Sequence, residues 1–141
     1  MSHSSTSVRM GTTQSTFKVV DNMAGAIEAG LIVRLKSDGT ISVAAADGLP
    51  LGISLGISLS NTSRTAIVRK GVRVPVLLTG AFTPTKGAQV SISDTTGKAI
   101  AAGGGATALN AVYETSKLDA LKEDGTTVTD GVALINFPGG L

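Results

Sequence analysis

The sequence predicts an all-β fold: a two-sheet antiparallel β-sandwich, jelly-roll-like, with a flexible N-terminal arm. Short apolar runs alternate with turn signals at intervals of about ten residues, a spacing typical of sandwiches and barrels. Asp-Gly and Thr-Gly pairs sit between these runs, where hairpin tips belong. The 141 residues include 18 glycines but only three Phe, one Tyr and no Trp, so Val, Ile, Leu and Ala must build the core.

The arm is predicted over residues 1–16, and residues 17–141 are predicted to form a single β-sandwich domain. Ser and Thr dominate the first 16 residues, which contain no Leu, Ile or Phe. Such a segment cannot bury enough apolar surface to offset the entropy lost on ordering. We therefore expect residues 1–16 to become ordered only on a partner.

The first hairpin is predicted in "LIVRLKSDGTISVAAADG", residues 31–48. A strand leads into Asp38-Gly39, a tight-turn pair, and a second strand ends near Asp47-Gly48.

A period-two strand is predicted in "LPLGISLGISLSN", residues 49–61. Serines interrupt the run, so it is too short for a membrane span of roughly 20 apolar residues. Ile57 follows Gly56 where a phosphate loop needs lysine. One face is predicted to carry Leu51, Ile53, Leu55, Ile57 and Leu59, and the other Gly52, Ser54, Gly56, Ser58 and Ser60. The thin Gly/Ser face predicts that another backbone or subunit approaches it closely.

The next strand is predicted in "TAIVRKGVRVPVLLTG", residues 65–80. Pro75 has no N–H to donate to a neighbouring strand, which predicts an edge strand or a bulge at that point. Further hairpin tips are predicted at Thr96-Gly97 and Asp124-Gly125. Between them, residues 108–124 have some helical spacing, and we expect one short helix or a loop there.

Candidate catalytic and metal-binding residues are few. The chain has no cysteine, which excludes disulfides and thiolate chemistry, and its one histidine, His3, lies in the predicted arm. Asp38, Asp47, Asp94 and Asp124 lie at predicted turns, where Asp caps its own backbone. We therefore expect no enzymatic activity, no cofactor and no metal site.

Charge is distributed in two opposite segments. Arg64, Arg69, Lys70 and Arg73 form a basic cluster without an acidic neighbour, whereas residues 114–130 are mainly acidic. The basic cluster has no interleaved aromatic residues for base stacking, so no nucleic-acid contact is expected. No membrane contact is expected either. The predicted interface, with a partner protein or with another copy, comprises Arg64, Arg69, Lys70, Arg73, Gly52, Gly56 and Pro75.

Three stretches together span about residues 25–141: "AGLIVRLKSDGTISVAAADGLPLGISL", "AIVRKGVRVPVLLTGAFTPTKGAQVSISDTTGKAI" and the closing "GVALINFPGGL". In this order they resemble the small capsid cement, or decoration, proteins of tailed bacteriophages. This resemblance implies binding to the major capsid protein on the outer shell surface, as dimers or trimers, without catalytic residues. We expect synthesis in the host cytoplasm, a place on the virion capsid, and a two-fold homodimer, with a trimer as the alternative.

Two other functions stay open at this point. A phage tail or baseplate β-module would share the glycine-rich, aromatic-poor composition. A carbohydrate-binding β-sandwich usually stacks sugars on exposed aromatic rings, and four aromatic residues leave few for that purpose.

Overall fold

The computed structural model describes residues 13–18, 28–43, 48–57, 64–122 and 124–141. These residues contain strands, turns and bends but no helix, which confirms the predicted all-β class. The nine strands are β1 (Thr13–Lys18), β2 (Ile32–Leu35), β3 (Ile41–Ser42), β4 (Pro50–Ile57), β5 (Arg64–Leu77), β6 (Gln89–Ser93), β7 (Ala99–Ile100), β8 (Ala106–Tyr113) and β9 (Val132–Phe137).

All nine strands belong to one curled antiparallel sheet. Eight follow the order β3-β2-β4-β5-β9-β8-β6-β7, and β1 pairs separately with β5. The predicted two-sheet sandwich and jelly roll are not confirmed. The long strand β5 pairs with β4 in its first half and with β9 in its second half. The hydrogen-bonded sheet is therefore continuous along β5, whereas a sandwich would consist of two separate sheets.

The curl brings the two ends of the sheet toward each other. The amide of Ile32 in β2 donates to the carbonyl of Gly97, in the β6–β7 turn, at 2.9 Å. A Cβ on Gly97 would lie 2.6 Å from the carbonyl oxygen of Ile32. Glycine is therefore needed at this position for the close approach as well as for its positive φ of 73°.

The three predicted hairpin tips are confirmed, and two of them are copies of one turn. Residues 36–40 (KSDGT) and 122–126 (KEDGT) each close with a hydrogen bond from the lysine amide to the threonine carbonyl. In the first turn, the hydroxyl and amide of Thr40 donate to Oδ1 of Asp38 at 2.5 and 2.9 Å. Thr126 donates to Asp124 in the same way. The hydrogen bond from the threonine hydroxyl is the main cause that lowers the pKa of both carboxyl groups.

Strand β8 replaces the first part of the predicted helix or loop at residues 108–124. Leu109, Ala111 and Tyr113 are buried, whereas Asn110 and Val112 between them are exposed. Alternating burial is the period-two pattern of a strand. The pattern is hard to see in the sequence, because Ala108 and Asn110, which are not typical strand residues, occupy exposed positions. The rest of the segment forms a hairpin-like loop with two isolated bridges, Leu118–Val132 and Leu121–Thr127.

Strand β4 is confirmed as a strand, but its predicted faces are wrong. Gly52, Ile53 and Ser54 are all buried, whereas Leu55 is 43% exposed. Register shifts interrupt the pairing of β4 with both β2 and β5, and such irregularities re-aim side chains. The predicted close approach to the Gly/Ser positions does occur at Gly52, where β5 of the same chain packs against it.

The predicted edge position of Pro75 is wrong, because β5 lies inside the sheet. Pro75 pairs with Leu134 of β9. The register of β5 with β4 ends at Val68, so among the described strands Pro75 pairs with β9 alone, and its missing N–H is tolerated there. The predicted bulge lies just before it, where the register with β9 shifts between Gly71 and Val74.

Two apolar clusters hold the sheet in shape. The larger one joins residues from both halves, including Ile53 of β4, Ile92 of β6 and Phe137 of β9, all fully buried. The smaller one, built around Val33, Ile41 and Ile67, covers the opposite face of β2, β3 and β5. The parts of β2, β3 and β5 that contribute to these two clusters are therefore buried, which explains the nearly continuous apolar sequence there.

Strand β1 crosses the predicted boundary between arm and domain at residue 16. It runs antiparallel to the first half of β5, with Thr16 opposite Ala66 and Lys18 opposite Arg64. Residues 1–12 of the predicted arm lie outside the described residues.

The substitution Gly52→Ala is expected to lower the free energy of unfolding by about 1–3 kcal/mol, the usual cost of overpacking. The added Cβ would overlap the carbonyl oxygen of Val68 and lie 2.6 Å from Cγ2 of Ile67. Urea unfolding measures the change. Gly104→Ala is the matched control, because a Cβ there meets no atom within 4 Å and the φ angle is not in the left-handed region. An equal effect at both positions would contradict this account.

Candidate functional site

The most prominent charged surface follows the middle of β5. Arg69, Lys70, Val72 and Arg73 are all exposed there, and Val72 is 47% exposed. Between Gly71 and Val74, β5 advances three residues while β9 advances two, which defines a bulge. The extra residue explains why Val72 and Arg73 are exposed in succession. We call Arg69, Lys70 and Val72 the basic strip.

Arg73 lies beside this strip and already has partners in its own chain. Its φ of 53° places it in the left-handed region, and its amide donates to Oδ1 of Asn136 at 2.7 Å. Its guanidinium pairs with Oε1 of Glu114 at 3.2 Å, and Asn136 also donates to Glu114. One cation of the predicted basic cluster therefore contacts the predicted acidic segment within a single subunit.

Arg69 and Lys70 have no ion-pair partner among the described residues. The chain end packs against the strip, since a Cβ on Gly140 would lie 3.5 Å from the carbonyl oxygen of Arg69. Asn110 Nδ2 donates to the carbonyl of Gly140 and fixes this contact. Two uncompensated cations and an exposed valine thus lie on a strand that the core holds in place.

The other predicted interface residues lie elsewhere on β4 and β5. Gly52 is buried against β5, Gly56 is near the end of β4, and Pro75 is exposed beyond the bulge. Arg64 begins β5, opposite Lys18 of β1. The structure therefore places Arg69, Lys70 and Arg73 as exposed residues on one stretch of β5, whereas Gly52 is buried on β4.

Sequence analysis missed a buried arginine. Arg34 is 3% exposed and follows the core residue Ile32 by two positions in β2. Its Nη1 donates to the carbonyl of Gly48 at 2.9 Å, and its Nη2 lies 3.4 Å from Oδ1 of Asp94 and 3.3 Å from Oγ1 of Thr107. Thr107 also donates to Asp94. The cluster links β2 to the β6 end and β8, across the opening of the curl.

Ser93, and not Asp94, caps the turn after β6, so the Asp94 carboxylate can pair with Arg34. The Ser93 hydroxyl accepts hydrogen bonds from the amides of Thr95 and Thr96. The sequence signal for the cluster was a single arginine in the otherwise apolar run "LIVRL". A lone arginine does not reveal its partner, which is 60 residues away along the chain.

Tyr113 is the buried titratable residue of the larger core cluster. It is 2% exposed, its ring lies 6.1 Å from that of Phe82, and its hydroxyl has no hydrogen-bond partner among the described residues. Burial raises the pKa of the Tyr113 phenol to about 12, so the group is protonated at neutral pH. This geometry assigns Tyr113 to packing.

No protein-family model matches the chain, and no curated protein matches it either. Among the described residues, no group of three or more His, Cys, Asp or Glu side chains is placed to hold a metal ion. The described part of the chain also has no helix that is long and apolar enough to cross a membrane.

Removal of the Arg34 counter-ion is expected to destabilise the fold more than removal of the Arg73 counter-ion. Asp94→Ala leaves a buried guanidinium without a carboxylate, at a cost of about 3 kcal/mol. Glu114→Ala breaks an exposed pair, and the expected cost is about 1 kcal/mol or less. Urea unfolding of the two variants at neutral pH gives the comparison. An equal loss of unfolding free energy in Glu114→Ala and Asp94→Ala would contradict the role of the Arg34 cluster in joining the two ends of the sheet.

Tyr113→Phe is expected to leave stability unchanged or to raise it by about 1 kcal/mol, because the change removes a buried hydroxyl that makes no hydrogen bond. Thermal unfolding of this variant is the measurement. A loss of more than about 1 kcal/mol would show that the hydroxyl has a stabilising partner.

Proposed function

We propose that this chain is a structural virion protein that binds the outer surface of a phage capsid and clamps neighbouring major capsid subunits. The proposal includes the absence of enzymatic activity. The observation that carries it is the basic strip: Arg69 and Lys70 are exposed and unpaired among the described residues, beside exposed Val72. This combination fits an acidic protein surface with an apolar spot.

The position of the strip on β5 supports a binding role. Strand β5 pairs with β1 and β4 before the bulge and with β9 after it. Neighbouring Val68 and Val74 are buried in the larger core cluster. A cation held on such a strand loses little backbone freedom when a partner binds, so less of the interaction energy is spent on ordering.

Clamping requires only differential binding. A protein that binds the assembled lattice, and not its separated subunits, stabilises the lattice by mass action. Weak contacts suffice, because many copies bind by symmetry and a bivalent copy gains effective concentration once one half is bound. A dimer is the proposed form, with a trimer as the alternative.

Charge reversal of the strip is expected to reduce binding to the capsid. The double variant Arg69→Glu, Lys70→Glu replaces the two free cations with anions, so an acidic partner surface would repel it. Occupancy on stripped particles, measured by quantitative gel analysis after repurification, should fall at least tenfold. The temperature at which the redecorated particles release their genome should fall with it.

The double variant Lys86→Glu, Lys122→Glu is the charge-matched control, because both lysines are exposed and lie outside the strip. It changes net charge but should leave occupancy unchanged. Circular dichroism and urea unfolding of both double variants check that each fold is intact. Full occupancy by the folded Arg69→Glu, Lys70→Glu variant would refute the strip as the binding surface. A copy number of only a few per virion would favour the tail or baseplate alternative instead.

A further inference from the structure

We propose that two compensating β-bulges in β5 create the basic strip, and that Arg73 is the positioning residue of the second bulge and not one of the cations that contact the partner. What the strip binds rests on the function proposed above. How the strip is formed does not, and it can be tested on the free protein.

The first bulge lies against β1. Lys70 pairs with Thr13, and Val68 pairs with Gln14. Between these two pairs, β5 advances two residues while β1 advances one, so Arg69 is an extra residue, and it is exposed. The second bulge is the one already described against β9.

The two bulges reverse the facing of the residues between them. In a regular strand, residues at even separations lie on the same face. Val68 and Val74 both belong to the larger core cluster, so an unbroken strand would turn Lys70 and Val72 into that core as well. In the structure Gly71 is buried instead, and Lys70 and Val72 are exposed. The first bulge therefore turns these two side chains outward, and the second returns Val74 to the core.

This arrangement is costly for folding, which indicates a role in binding. An outward Val72 loses the free energy that burial in the core would provide. A partner that covers Val72 recovers this burial, and the adjacent Arg69 and Lys70 favour an acidic surface around it. Bulges are common next to functional sites, where they re-aim side chains, and here two of them enclose the strip.

Arg73 fixes the second bulge through its backbone. Its φ of 53° lies in the left-handed region, which is unfavourable for a residue with a Cβ. Asn136, the β9 residue opposite the bulge, accepts the Arg73 amide at 2.7 Å and also donates to Glu114. Glu114 pairs with the guanidinium at 3.2 Å. Arg73 therefore has its counter-ion within the subunit, whereas Arg69 and Lys70 have none among the described residues.

Two substitutions at Arg73 separate its conformation from its charge. Arg73→Gly and Arg73→Val remove the same charge, but glycine adopts positive φ freely, whereas a β-branched residue rarely does. Since only molecules with the strip in place can bind, Arg73→Val should bind stripped particles roughly fivefold or more weakly than Arg73→Gly. Equal affinities of the two variants would overturn the positioning role.

Arg69→Gly is the matched control for charge, because the same substitution removes a cation of the strip itself. It should weaken binding to stripped particles more than Arg73→Gly does, since Arg73 is already paired with Glu114. If Arg73→Gly bound as weakly as Arg69→Gly, Arg73 would be a binding cation, contrary to the proposal.

Thiol labelling of the free protein gives a test without any capsid. The chain has no cysteine, so Val72→Cys introduces a single thiol in the strip. Adding Arg73→Val should slow its labelling roughly fivefold or more relative to adding Arg73→Gly, because the thiol then spends less time facing outward. Thr83→Cys, in an exposed loop outside the strip, should label at the same rate with either substitution. Equal rates for Val72→Cys with the two substitutions, in variants that circular dichroism shows to be folded, would overturn the proposal.

These measurements separate the failure of this proposal from the failure of the proposed function. If the Arg69→Glu, Lys70→Glu variant keeps full occupancy, the strip is not the capsid-binding surface, and thiol labelling alone decides the role of Arg73. If that variant loses occupancy while Arg73→Gly and Arg73→Val bind equally, the capsid function stands and the positioning role of Arg73 is wrong.

Discussion

The architecture depends on the continuity of strand β5. Its fourteen residues join the two halves of the sheet, because β1 and β4 pair with its first half and β9 pairs with its second. The bulge between Gly71 and Val74 separates these two regions, and a bulge adds local twist and bend. This bulge contains the exposed Arg73, and it lies within the curled sheet next to the enclosed core.

A curled sheet needs something to hold its ends together, and here polar contacts contribute. The Arg34 cluster and the Ile32–Gly97 hydrogen bond connect β2 to the turn between β6 and β7. Burial of a guanidinium is costly, and the attraction of Asp94 repays that cost only with good geometry and additional hydrogen bonds. Gly48 and Thr107 supply such hydrogen bonds, although Nε of Arg34 has no partner in the part of the chain that the structure describes. The cluster therefore favours one closed arrangement more than it adds net stability.

The functional proposals concern surface that the core leaves available. Small aliphatic residues fill the interior. The basic strip lies on β5 between the buried core residues Val68 and Val74, so the core fixes the strand while the strip stays exposed.

The sequence by itself determined the features that depend on local chemistry. The all-β class follows from short apolar runs with turn residues between them, and the tips at Asp38-Gly39, Thr96-Gly97 and Asp124-Gly125 follow from glycine's access to positive φ. The exposure of Arg69 and Lys70 could likewise be predicted, because charged side chains are rarely buried without a partner.

Only the tertiary structure decided the features that depend on residues far apart in the chain. A proline suggests an edge, yet β5 is internal because β9 pairs with it from a distant part of the sequence. Alternation predicts one buried face for β4, yet packing from both sides buries Gly52 and Ser54 as well. The partner of Arg34 could not be predicted from the sequence either, because Asp94 comes close to Arg34 only when the sheet curls. Pairing between distant strands is set by the total burial and hydrogen bonding of the folded chain, and no local pattern encodes that balance.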